Sequence, residues 1–240
     1  MRASISGATH DVLRRPGKFA SALWLAGWAF ALALSGSAPA AYGARVAGGH
    51  FHSLWVKDDK SLWAWGDNWT GQLGDGTKVD RSAPVKLGGV GLVASAAGGE
   101  AHSLAVRTDG TVLAWGVNDR GQLGDGTLRT RTLPTAVAGV SGVGAIAAGR
   151  NHSLALKTDG TVWAWGANDD GQIGDGGAVD RNVPTRAGTL TTVAKIAAGH
   201  MHSLAVRTDG TLFVWGNNDF GQLGDGSVTS RRSPVPISNL

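Results

Sequence analysis

Four His-Ser pairs are the first residues in this chain that could do chemistry: His52-Ser53, His102-Ser103, His152-Ser153 and His202-Ser203. A histidine beside a hydroxyl, with aspartates near in sequence, is the raw material of an acyl-transfer triad, in which the imidazole takes the nucleophile's proton. Imidazoles are also common metal ligands. A second candidate is the loop Asn118-Asp119-Arg120-Gly121-Gln122-Leu123-Gly124-Asp125-Gly126 with its copies. Its Asn, Asp and Gly content resembles a calcium loop. Thiolate chemistry is closed, because the chain has no cysteine.

Spacing argues against catalysis and metal binding alike. Each His-Ser returns after 50 residues, as do Trp65-Gly66, Gly71-Gln72-Leu73-Gly74-Asp75-Gly76 and Pro84, with no insertion or deletion. A triad is assembled once, whereas this pair occurs once per copy at separated, equivalent places. The structural reading of the histidines is therefore preferred. The acidic loop lacks the Asp-x-Asp-x-Asp-Gly…Glu spacing of a calcium site. Its glycines suit positive φ, and its Asn and Asp suit local turn hydrogen bonds. It is no phosphate cradle either, since Gly-x-x-x-x-Gly-Lys is absent and no helix follows. No cofactor and no metal is expected.

A fixed period of this length means one supersecondary unit, copied and stacked. In the last copy, Val193–Ala198 is an apolar run and His202–Arg207 alternates. Asp209-Gly210 is a hairpin turn, Thr211–Trp215 is a strand, 216–227 is a Gly-rich loop, and Pro234–Ile237 is a short final strand. The third strand reads Leu62-Trp63-Ala64-Trp65, Val112-Leu113-Ala114-Trp115, Val162-Trp163-Ala164-Trp165 and Leu212-Phe213-Val214-Trp215. It is apolar on both faces, so it is expected to be buried on both. Four short antiparallel strands per 50 residues predict an all-β fold of β-propeller blades. The repeats run over about 41–90, 91–140, 141–190 and 191–240, and four of them predict an open or partial propeller.

Residues 1–40 stand outside the repeat. Arg14, Arg15 and Lys18 precede an apolar run, Phe19–Leu34, followed by Ser35-Gly36-Ser37-Ala38-Pro39-Ala40. That layout predicts a cleaved secretory signal peptide and a secreted or periplasmic product. An uncleaved N-terminal anchor is the alternative, though the run falls short of the roughly 20 residues of a membrane span. The chain has 22 Lys+Arg and 18 Asp+Glu. Without the leader's four basic residues and one acidic residue, 18 and 17 remain. The basic balance is thus the leader's, and no nucleic-acid partner is expected.

The pattern Ala-Ala-Gly-x-x-His-Ser-Leu-Ala-Val-x-x-Asp-Gly-Thr, then Trp-Gly-x-Asn, then Gly-Gln-Leu-Gly-Asp-Gly, then Pro resembles the regulator of chromosome condensation repeats. Kelch repeats would need a tyrosine and WD repeats a Trp-Asp. The resemblance implies a bladed binding platform, seven-bladed when complete. Its members include exchange factors for small GTPases and secreted β-lactamase inhibitors. Export disfavours the first role.

Function is expected where the copies differ on a shared surface. Antiparallel order puts the loops after the first and third strands of every copy at one end. There the variable residues are His50, Phe51, Glu100, Arg150, His200 and Met201, then Trp69, Arg120, Asp170 and Phe220. Aromatic and arginine residues are the usual anchors of interfaces. The reading is a non-catalytic, exported scaffold binding a protein or surface polymer through this end, with homo-association through open blade edges. An enzyme acting on cell-wall glycans, a secreted enzyme inhibitor and a fragment of a longer propeller are the alternatives.

Overall fold

The computed structural model describes residues 45–238, so the expected leader lies outside the described residues. Among the described residues sixteen strands form four sheets, each of four antiparallel strands in sequence order. Blade 1 contains β1 (Val46–Gly48), β2 (His52–Val56), β3 (Leu62–Gly66) and β4 (Arg81–Lys86). Blade 2 contains β5 (Val93–Gly98), β6 (His102–Arg107), β7 (Val112–Gly116) and β8 (Arg131–Ala136). Blade 3 contains β9 (Val143–Ala148), β10 (His152–Lys157), β11 (Val162–Gly166) and β12 (Arg181–Arg186). Blade 4 contains β13 (Val193–Ala198), β14 (His202–Arg207), β15 (Leu212–Gly216) and β16 (Arg231–Pro236). The inner strands pack in the order β1, β5, β9, β13, giving four blades of a partial propeller. Among the described residues no helix is long and apolar enough to cross a membrane.

The period-2 pattern decides how blades stack. Cross-strand partners share a face, so Ser103, Ala105, Leu113 and Trp115 lie together, and Leu104, Val106, Val112 and Ala114 lie on the other side. The first group meets the preceding blade. Ala105, Leu113 and Trp115 join one core with Leu54, Val56, Leu62 and Ala64 of blade 1. Each blade thus has a leading face, built on tryptophan and alanine, and a trailing face of leucine and valine. Trp115, Trp165 and Trp215 are fully buried between blades. Burying a large apolar side chain stabilises by roughly 1.5–3 kcal/mol.

The outermost strand starts three residues earlier than the sequence pattern suggests, at Arg231 instead of Pro234. Proline hides the boundary because it cannot donate to the ladder. Here a register shift lies between Val214 and Gly216, so pairing jumps from Val235 to Arg231 and Pro234 falls in the skipped stretch. The same shift recurs opposite Pro84, Pro134 and Pro184.

The expected hairpins form with a carboxylate brace. Asp109 Oδ1 accepts the Thr111 amide at 2.9 Å, and Gly110 turns with φ +80°. Copy one has Lys60 at that glycine position, held at φ +65°. A side chain there is strained.

Candidate functional site

The recurring histidines are built into the seams between blades. His52 Nε2 lies 2.8 Å from Ser103 Oγ in the next blade, and Ser103 Oγ donates to the Gln72 carbonyl at 2.7 Å. That carbonyl also accepts Trp115 Nε1–H at 2.8 Å. His102–Ser153 and His152–Ser203 repeat the motif. The serine proton is committed to the carbonyl, so its oxygen accepts and the imidazole carries its proton on Nε2. Nδ1 of all three histidines is then a buried atom with no partner. Burial, reinforced for His102 and His152 by neighbouring histidines, lowers their pKa values to about 3, and burial lowers that of His52 to about 4. A serine bound this way is no poised nucleophile. The glycine before each relay gives the ring its place. A Cβ on Gly99 would fall onto the His102 ring and within 2.7 Å of the Gly149 carbonyl oxygen.

The acidic loops are likewise spoken for. Asp75 Oδ1 accepts from Thr77 N at 2.9 Å and Thr77 Oγ1 at 2.7 Å, and Asp75 Oδ2 accepts from Arg81. Asn68 Nδ2 reaches the same carboxylate and the Val79 carbonyl, while its Oδ1 accepts the Leu73 amide. Burial alone would raise the Asp75 pKa. The hydrogen bonds from Thr77, Arg81 and Asn68 outweigh it and hold the carboxyl below its ordinary value. The Asp-to-Arg clamp recurs at Asp125–Arg131, Asp175–Arg181 and Asp225–Arg231. Among the described residues no group of three or more His, Asp or Glu side chains is gathered to hold a metal.

The two loop sets do share one end. Asp67 N donates to the Phe51 carbonyl, Val117 N to that of Ala101, and Asn217 N to that of Met201. The structure brings Glu100, Arg150, His50 and His200 together near the inner strands. Arg150 Nε donates to Glu100 Oε2 at 2.6 Å, and His50 Nδ1 lies 3.9 Å from Glu100 Oε1. His50 stacks on Phe51 at 3.8 Å between ring centroids. Partial burial and the Arg150 charge lower the His200 pKa. Backbone bonds from Glu100 N to Arg150 O and from Arg150 N to His200 O chain these loops together.

The remaining candidates lie farther out and divide in two. Arg120 reaches into the next blade and binds Asp180 and Asp169. Asp170 accepts from Asn217 of the following blade. These two are clamps between loops, which sequence reasoning did not foresee. The signal available was Asp180 at a position that is Thr130 or Ser230 in neighbouring copies. Phe51, Trp69 and Phe220 make no such commitment and are 67 %, 79 % and 93 % exposed. Met201 is half-buried.

A sequence model of the regulator of chromosome condensation (RCC1) repeat matches residues 59–106, 109–156, 159–206 and 209–240. The chain belongs to the regulator of chromosome condensation repeat family. A second model of the same repeat matches 93–122, 145–172 and 193–222. Among solved structures, human WBSCR16 is similar over 82 % of this chain and 54 % of its own, with 30 % identity and a TM-score of 0.75. Prp20p of Saccharomyces cerevisiae, studied for binding Gsp1p and histones, is 28 % identical, covering 81 % of this chain and 50 % of its own at a TM-score of 0.72. The yeast RCC1 (Prp20) bound to Kap60 is 28 % identical, covering 81 % and 48 %, at a TM-score of 0.71. The chain spans about half the length of these relatives. No curated protein matches it by sequence.

Proposed function

We propose that this chain is an exported, non-catalytic scaffold that binds a protein partner through the loop end of its blades. The observation that carries the reading is the placement of Phe51, Trp69 and Phe220. The interior and the Asp-to-Arg clamps repeat from blade to blade, while three large aromatic side chains stand in solvent at one end. An exposed aromatic is a fitting interface anchor, since it buries much area and loses little rotamer freedom. The RCC1-repeat proteins of known structure named above include one bound to Kap60 and one studied for binding Gsp1p and histones. Export rests on the leader pattern of residues 1–40.

A photo-crosslinking amino acid placed singly at 51, 69 and 220, and at 109, 159 and 209 on the opposite end, tests the proposal. A common protein adduct from the first set alone is expected. Equal adducts from both ends, or none from the loop end, would overturn it.

A further inference from the structure

Each of the three seams among the described residues joins a trailing face to a leading face. Each is closed by the same set of bonds: a histidine to a serine, then that serine and a tryptophan to one glutamine carbonyl. The two end faces carry the two halves of this set. On the trailing face of blade 4 stand His202 and the Gln222 carbonyl. On the leading face of blade 1 stand Ser53 and Trp65. Among the described residues, none of these four groups has a hydrogen-bond partner. Apolar surface goes with them. Leu204 is half-buried where Leu54, Leu104 and Leu154 are fully buried, and Trp65 is half-buried where its three counterparts are fully buried. Val46, on the leading face opposite Trp55, is 66 % exposed.

We propose that the trailing face of blade 4 receives the leading face of blade 1 from a second copy of this chain. The contact is head to tail, a heterologous seam that continues the stacking already made three times within the molecule. In it, Ser53 Oγ accepts from His202 Nε2 and donates to the Gln222 carbonyl, which also takes Trp65 Nε1–H. Two residues depart from the inner seams and set its strength. Trp55 occupies the place of Ala105, Ala155 and Ala205, which are essentially inaccessible. Exposed Lys195 occupies the place of buried Ser95 and Ala145. An indole where the inner seams have a methyl group must be seated in a space shaped for that methyl, at a packing cost. A desolvated ammonium adds its own cost. The end-to-end seam is therefore weaker than the inner ones, and association is reversible and concentration-dependent.

Sedimentation velocity over a wide concentration series reads this directly. The wild-type chain is expected to grow in mass with concentration. Trp55→Ala, which restores the residue of the inner seams, should shift that growth to at least tenfold lower concentration. Ser53→Arg blocks only the leading face and Leu204→Arg only the trailing face. Each variant alone should stay a monomer, and their mixture should stop at a dimer, because only one seam can form. Thermal melting of each variant within a few degrees of wild type shows that it folds. A wild type and a Trp55→Ala variant that are both monomeric throughout would overturn the proposal, leaving these faces to blades of another chain or of a longer one. Association of either blocked variant alone, or no dimer in the mixture, would overturn it equally.

Discussion

Lowering the pH from 7.5 to 5 should remove most of the stability of the four-blade unit, and the buried histidines set the size of the loss. In the unfolded chain His52, His102 and His152 take up protons near pH 6.5. In the folded chain they do so only at about 4, 3 and 3. Between those values the unfolded state binds more protons, so stability falls as pH falls. Three protons at about 1.4 kcal/mol per pH unit each give a limiting slope of about 4 kcal/mol per unit. By pH 5 each histidine contributes a loss of about 2 kcal/mol, or about 6 kcal/mol for three. That is comparable to the whole stability of a typical domain, about 5–15 kcal/mol. The physical origin is Nδ1, which on protonation becomes a buried N–H with no acceptor. Guanidinium melts followed by tryptophan fluorescence at pH 7.5, 6 and 5 provide the measurement. Replacing His102 with Gln should lower the slope by about a third, whatever it does to stability at pH 7.5. A midpoint unchanged between pH 7.5 and 5 would refute the buried neutral relay.

Other perturbations test the seams and turns. Trp165→Ala should destabilise by about 3–5 kcal/mol as a core deletion, whereas Trp65→Ala, with its half-buried ring and no carbonyl partner, should cost markedly less in the same melts. Gly121→Ala should be severe, because a Cβ there lies 2.6 Å from Asn182 Cα at φ +80°, and chemical melts would show it. Lys60→Gly should stabilise by about 1 kcal/mol by relieving the left-handed strain of the first hairpin. Arg120→Ala should speed proteolysis of the 167–180 loop, an effect that added salt should diminish in comparison with wild type.

Much of the fold is legible in the sequence because its signals are repeated. A period-2 pattern, Asp-Gly at each later hairpin and an invariant spacing leave little freedom in strand order. Proline obscured the start of β16, since a missing donor and a register shift look alike from sequence. The relay was hidden for a different reason. His52 meets Ser103, not its own neighbour Ser53, and only stacking shows that the bond crosses a seam. The candidate surface was legible as variation between copies. Sequence could not separate Arg120, which is held by two aspartates of the next blade, from Phe220, whose ring stands in solvent. Charge type predicts propensity for an interface, but partners within the chain decide availability. Trp55 could have been noticed as the one departure from alanine at its position, yet its meaning depends on which blade face it occupies.

The central claim is that the loop end, and not the opposite end, is the binding surface. The most direct test is equilibrium binding of the crosslinked partner, once purified, to three forms of the chain. These are wild type, a Phe51→Ser, Trp69→Ser, Phe220→Ser triple variant, and a control with Asp109, Asp159 and Asp209 changed to Ser on the opposite end. The account predicts at least a hundredfold loss of affinity for the aromatic triple variant, as for two or more interface anchors, with little change for the control. Undiminished binding by the aromatic variant, or a comparable loss in the control, would contradict it.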